Sequence, residues 1–204
     1  MIFMSNNSGV SIEERHLAYK TKIYNYDVTV IHAKCPTSKY FISIEAKSQE
    51  AFGDVIKGLT YVVPIQKIAF DEEMNCATLK LFDRLIGIYS DGRISFCAEN
   101  LNDAAEVLRG IDEALRKARE YVKLHGTPSN SDIKRLLKLN AIELYKYLPK
   151  TNCRKCGEST CLAFAVKVLL GDRKLRECPL LSEKDFDGIK KTYGTVASIA
   201  LGIA

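Results

Sequence analysis

The chain lacks any unbroken apolar run approaching the ~18 residues that a membrane-crossing helix needs. Its longest candidates are CLAFAVKVLL, interrupted by Lys167, and TVASIALGIA, and both are too short. The opening MIFMSNNSGVSIEERH has no basic segment leading into a long apolar one, so no export leader is expected. There is no long internal repeat and no low-complexity tract. Histidine is scarce: His16, His32 and His125 each stand without a second ligand at metal-binding spacing, and they read as structural or surface residues. No nucleophile–base pair, phosphate loop or paired-carboxylate signature stands out, which weighs against a stand-alone hydrolase or transferase. Asp91, Asp103 and Glu106 sit where turns and helix starts use acids.

What is present is an ordinary globular composition, 47% apolar and 27% charged over 204 residues, enough for one full domain plus a small one. Seven cysteines without an export signal point to a reducing, cytoplasmic setting where thiols persist as thiols or metal ligands. Cys35, Cys76 and Cys97 are scattered and read as core filling. The other four, Cys153, Cys156, Cys161 and Cys178, fall within 26 residues. Charge is uneven as well. Residues 128–204 hold 14 Lys and Arg against 8 Asp and Glu, net +6, whereas residues 1–127 hold 16 against 17.

Residues 1–23 are polar and read as a loosely held arm. A sheet domain is expected over 24–127. Tyr26, Val28 and Val30 share one face of a strand, and Tyr40, Ile42 and Ile44 one face of the next, with Cys35-Pro36-Thr37-Ser38 as the turn between. Phe52, Val55, Ile56 and Leu59 have helical spacing, with Ser48 as N-cap. Three or four further strands follow at Ile68/Phe70, Leu79/Leu81, Ile86/Ile88 and Ile94/Phe96, and Asp91-Gly92 predicts a two-residue hairpin. Ala104, Leu108, Ile111, Leu115, Ala118 and Val122 then form the stripe of a long helix, capped by Asn100 or Asn102 and stopped at Gly126 and Pro128. Linking helices are expected at Asp132–Leu139 and Ala141–Leu148 within 128–149, an iron–sulfur domain over 150–181, and a tail over 182–204. Thr195–Ala204 is apolar enough either to dock on a partner or to pack back on the chain. The fold class is α+β: an antiparallel sheet backed by helices, then a small helical module.

The cysteine spacing is C-x2-C-x4-C-x16-C. A four-iron cluster needs four thiolates converging on a cube, three from a tight loop and one from a returning segment. Gly157 lets the backbone wrap closely, and Ser159 or Thr160 caps a helix running to Gly171 with Cys161 in its first turn. That helix end favours thiolate and a net negative cluster. Zinc is the competing metal. It prefers paired two-cysteine knuckles, and the second pair here is split by x4 and x16.

Over residues 142–181 the segment resembles the small four-iron domain in the large subunit of the corrinoid iron–sulfur protein of acetyl-CoA synthesis. It is similar also to the B subunit of Rnf-type electron-transport complexes. The agreement covers all four cysteines, Leu148-Pro149, Thr151-Asn152, Gly157, Thr160 and Pro179. The resemblance implies a [4Fe-4S] cluster held by Cys153, Cys156, Cys161 and Cys178 and passing single electrons. It does not imply corrinoid binding, because the remainder is too short for the barrel that accompanies this domain there. Residues 24–127 resemble, more distantly, one half of a TATA-binding protein, through the Ser90-Asp91-Gly92-Arg93 hairpin and the long helix behind it. Only one half is present, so a saddle would need a homodimer through the sheet domain or a partner.

The expected function is electron transfer, or service as a redox accessory subunit of a larger anaerobic enzyme complex, without catalysis of its own. The partner is a redox protein or that complex. Two alternatives stand beside it: a redox-sensing nucleic-acid-binding regulator and an assembly or activation factor for a metalloenzyme. The basic residues Lys150, Arg154, Lys155, Lys167, Arg173, Lys174 and Arg176 suit nucleic acid, offset of cluster charge, or steering of an acidic redox partner.

Overall fold

The computed structural model describes residues 18–32 and 42–203. The predicted turn at 35–38, with Cys35, and the positions of His16 and Tyr40 lie outside them.

Seven strands form one antiparallel sheet: β1 (Ala18–Ile23), β2 (Tyr26–His32), β3 (Ile42–Ser48), β4 (Ile68–Asp71), β5 (Cys76–Leu81), β6 (Arg84–Tyr89) and β7 (Arg93–Ala98). Their order is β1-β2-β3-β7-β6-β5-β4. Alternation decides which face is covered. Val30, Ile44, Phe96, Ile86, Leu79 and Ile68 stand opposite one another across six strands, and all six are buried. A 25-residue helix, α2 (Leu101–His125), and a short one, α1 (Val55–Val62), cover that face. Asn100 caps α2, its Oδ1 accepting from the N–H groups of Asn102 and Asp103, and Gly126 ends it at positive φ. The predicted stripe is in place, with Ala104, Leu108, Ile111, Leu115 and Ala118 buried.

Four strands follow α1, the upper of the two numbers expected there, and the fold is α+β. Three local expectations are corrected. Ala18–Ile23 is an edge strand paired along its length with β2, not part of a loose arm. Ser48 does not cap a helix: its backbone is held opposite Tyr26 and by the bond from its N–H to the Gly92 carbonyl (2.9 Å), so the chain stays extended and α1 begins only at Val55. The β6–β7 loop has three residues, Ser90, Asp91 and Gly92. The Gly92 N–H closes a turn on the Tyr89 carbonyl, and Gly92 takes the positive φ of a bulge.

A second core lies beyond α2. It is built from α3 (Asn130–Leu137), α4 (Ala141–Tyr145), α5 (Cys161–Leu170) and α6 (Glu183–Ala200). α3 has the predicted length but starts two residues earlier, α4 ends at Tyr145 rather than Leu148, and Asn140 caps α4 through the N–H groups of Ile142 and Glu143. The segment 182–203 is no free tail: Phe186, Ile189, Val196, Ala197, Leu201 and Ile203 are buried in this core. Of the two fates open to the apolar C-terminal stretch, its described residues 195–203 pack back on the chain.

α1 is the wall the two cores share. Ile56, Leu59 and Val63 face the sheet, while Tyr61 and nearby Ile65 belong to the second core. Gly58 permits α1 to cross α2 in contact, since a Cβ there would lie 2.5 Å from Val122 Cγ2. Among the described residues, no helix is long and apolar enough to cross a membrane.

Candidate metal centre

The centre is assembled from one loop, one helix start and one return. After Leu148 and Pro149 the backbone takes positive φ at Lys150 (59°), Asn152 (49°), Arg154 (61°) and Gly157 (86°). The residues between Lys150, Asn152 and Arg154 have negative φ. Alternation of this kind turns backbone N–H groups toward one side and makes an anion-binding concavity. Asn and Gly tolerate such angles, whereas Lys150 and Arg154 are held there at a cost of about 1 kcal/mol each.

Two side chains shape the loop. Asn152 Oδ1 accepts the Cys161 N–H at 2.9 Å, joining the loop to the first turn of α5. Thr160 is the N-cap, its Oγ1 accepting the Ala163 N–H at 3.0 Å. Gly171 caps the other end in the left-handed conformation. The return is a 3-10 turn, Leu175–Glu177, pinned where the Leu175 N–H donates to the Leu201 carbonyl, and it delivers Cys178. Arg173 straps the return to the loop, donating to Glu158 (3.1 Å) and to Glu177 (3.0 Å).

Cys153, Cys156, Cys161 and Cys178 line one small pocket, together with Leu148, Asn152, Thr160 and Phe164. Cys161 and Cys178 are buried, Cys156 is half-buried, and Cys153 is exposed. Their electrostatics divide the same way. The Lys155 backbone N–H and the Thr151 hydroxyl hold the Cys153 thiol below its ordinary pKa. Burial pushes the Cys178 thiol up, and nearby Cys156 and Cys161 push in the same direction. Among the described residues, no three His, Cys, Asp or Glu side chains stand close enough to grip a single ion. The four thiols ring one pocket, a donor set whose chemistry fits iron and sulfide.

The other candidates fall elsewhere. Cys76 is buried on β5, as core filling requires. Cys97 is exposed on the uncovered face of β7, which corrects that reading for it. His125 is exposed at the end of α2 and stacks on Tyr121, with ring centroids 5.8 Å apart. His32 lies in β2. Asp91 accepts from the backbone and guanidinium of Arg93. Asp103 pairs with Arg84, and Glu106 is exposed on α2. Three of the basic residues are engaged by acids, Lys167 by Asp172, Arg173 by Glu158 and Glu177, and Arg176 by Glu183. The roles of Asn152 and Thr151 were not assigned from sequence. Both lie in the segment of resemblance, but a hydrogen bond across nine residues leaves no periodic trace.

Residues 148–180 match the family model described as "Putative Fe-S cluster". Over 54 residues, 26% of this chain, the sequence is 46% identical to the acetyl-CoA decarbonylase/synthase complex subunit gamma of Methanocaldococcus jannaschii. It is 52% identical over 52 residues to the corresponding subunit of Methanosarcina acetivorans. It is 38% identical over 65 residues to the corrinoid/iron-sulfur protein large subunit of Moorella thermoacetica. The chain spans only 11%, 11% and 15% of these relatives. No solved structure matches the chain. The C-terminal segment 148–180 is thus a segment of the iron–sulfur cluster kind that the family model describes.

Proposed function

We propose that the chain binds one [4Fe-4S] cluster through Cys153, Cys156, Cys161 and Cys178 and serves as an electron-transfer or redox accessory subunit of a larger anaerobic, cytoplasmic enzyme complex. The carrying observation is the single pocket lined by all four cysteines, half sunk in the second core and half open at Cys153. The bound group supplies a one-electron couple. The chain's own part is to hold it. The Lys155 backbone N–H faces the Cys153 sulfur, Phe164 and Leu148 line the inner side, and the Asn152–Cys161 bond fixes the spacing of loop to helix. The relatives named as complex subunits support a partner larger than a free carrier would need.

The nucleic-acid reading gains nothing from the open sheet face. There Asp27 and Glu45 are interspersed with Lys20, Lys47 and Arg93, a balanced set where a phosphate backbone calls for a cationic one.

Anaerobic purification, iron and sulfide analysis and EPR of the reduced protein test the proposal. About four irons and four sulfides with a reducible S = 1/2 signal are expected. Stoichiometric zinc without sulfide would end it, and a Cys161→Ala variant with full cluster content would overturn the ligand set. Co-purification with one large enzyme separates the accessory role from a diffusing carrier.

A further inference from the structure

In the C-terminal module Lys167, Arg173 and Arg176 are engaged by acids of the chain. The cations beside the exposed cysteine are not. Lys150, Arg154 and Lys155 are all exposed, flank Cys153 in sequence, and have no acidic partner among the described residues. Lys150 is placed over the Tyr145 ring, 5.7 Å from its centroid, which positions its charge without cancelling it. The nearest acid in the loop, Glu158, is already taken by Arg173. On the outer face of α5, Leu162 and Val166, one turn apart, are 39% and 41% exposed, so the same module also offers apolar surface starting beside Cys161.

We propose that the Cys153 edge, with Lys150, Arg154 and Lys155, is the docking surface for an acidic one-electron-carrier protein. The inference rests on the function proposed above and names the partner of that site. Two arguments converge on it. Electron tunnelling needs close approach, and Cys161 and Cys178 are sealed in the core, so Cys153 marks the accessible side. Three uncompensated cations at that side attract carboxylates, steer encounter and repel basic partners. One electron passes from the reduced carrier to the oxidised cluster; no bond is made or broken and no proton is required.

The experiment uses the anaerobically reconstituted full chain with a purified acidic bacterial ferredoxin as probe. Two readouts are taken: zero-length carbodiimide cross-linking mapped by mass spectrometry, and stopped-flow electron transfer. Cross-links at Lys150 or Lys155 to ferredoxin carboxylates are expected. The transfer rate is expected to fall about tenfold between low and high salt. A K150E/R154E/K155E variant should lose the cross-links and slow about tenfold or more at low salt, with the rate expressed per cluster from its measured iron and sulfide content. A K150Q/R154Q/K155Q variant, free of introduced acids, should fall between. Rates and cross-links indifferent to salt and to both variants, with the cluster intact, would overturn the docking surface. So would duplex DNA binding that the same substitutions abolish while ferredoxin transfer is untouched. A wild-type chain that holds no cluster would instead sink the function proposed above.

Discussion

Asn152 and Cys161 are joined by one hydrogen bond, the side-chain oxygen of the first accepting the backbone N–H of the second at 2.9 Å, and through it the cysteine loop and the helix behind it become one unit. Asn152 also holds a positive φ of 49°, which asparagine tolerates better than most residues.

Asn152→Ala therefore removes an acceptor from a part-buried N–H and adds backbone strain, together about 2–3 kcal/mol. Iron release to a ferrous chelator under anaerobic conditions should accelerate at least tenfold. Asn152→Gly relieves the strain but not the missing acceptor, so its rate should fall between wild type and Ala.

Gly171 caps α5 at φ 81° against Pro64. A Cβ there would stand 2.6 Å from Pro64 Cγ. Gly53 has φ 51° with nothing within 4 Å. Gly53→Ala should cost about 1 kcal/mol from backbone strain alone, and Gly171→Ala about 2–4 kcal/mol because overpacking is added. Urea unfolding of the two variants at equal cluster content checks the difference.

Arg84 and Asp103 form a two-bond pair of 2.7 and 2.9 Å, and Arg84 also donates to the Cys97 carbonyl, tying β6 and β7 to the start of α2. The Arg84 side chain is only 7% exposed. Asp103→Ala leaves that guanidinium short of its counter-charge and should cost about 2–3 kcal/mol, below the full cost of a wholly buried pair because Asp103 is 22% exposed. Thermal unfolding measures it, and the double variant lacking both charges should recover part of the loss.

Cys97 and Cys76 should differ in reactivity. Cys97 is exposed. Cys76 is buried, and burial together with Asp71 raises its thiol pKa above the ordinary value. A raised pKa means less thiolate at a given pH, so Cys76 should stay unmodified at pH 8 while iodoacetamide labels Cys97. Peptide mass spectrometry reads both, and iron content should be unaffected by the labelling.

The sequence by itself determined what short-range forces decide. Alternation placed the covered face of the strands, three- and four-residue spacing placed the stripe of α2, and helix ends were marked by Asn100 or Asn102, by Ser159 or Thr160 and by Gly171, because their side chains or missing Cβ act within a few residues. The four-cysteine spacing marked the iron–sulfur domain for the same reason, since a loop's reach is set by chain length. Tertiary structure decided the rest. Ser48 stayed extended because Tyr26 and the Gly92 carbonyl hold it, and Ala18–Ile23 became a strand because β2 offered an open edge. Cys97 faces outward because only one face of the sheet is covered. The division of the module's cations into engaged and uncompensated, and of its cysteines into buried and exposed, came from contacts between segments far apart in the chain, and such contacts leave no local pattern in the sequence.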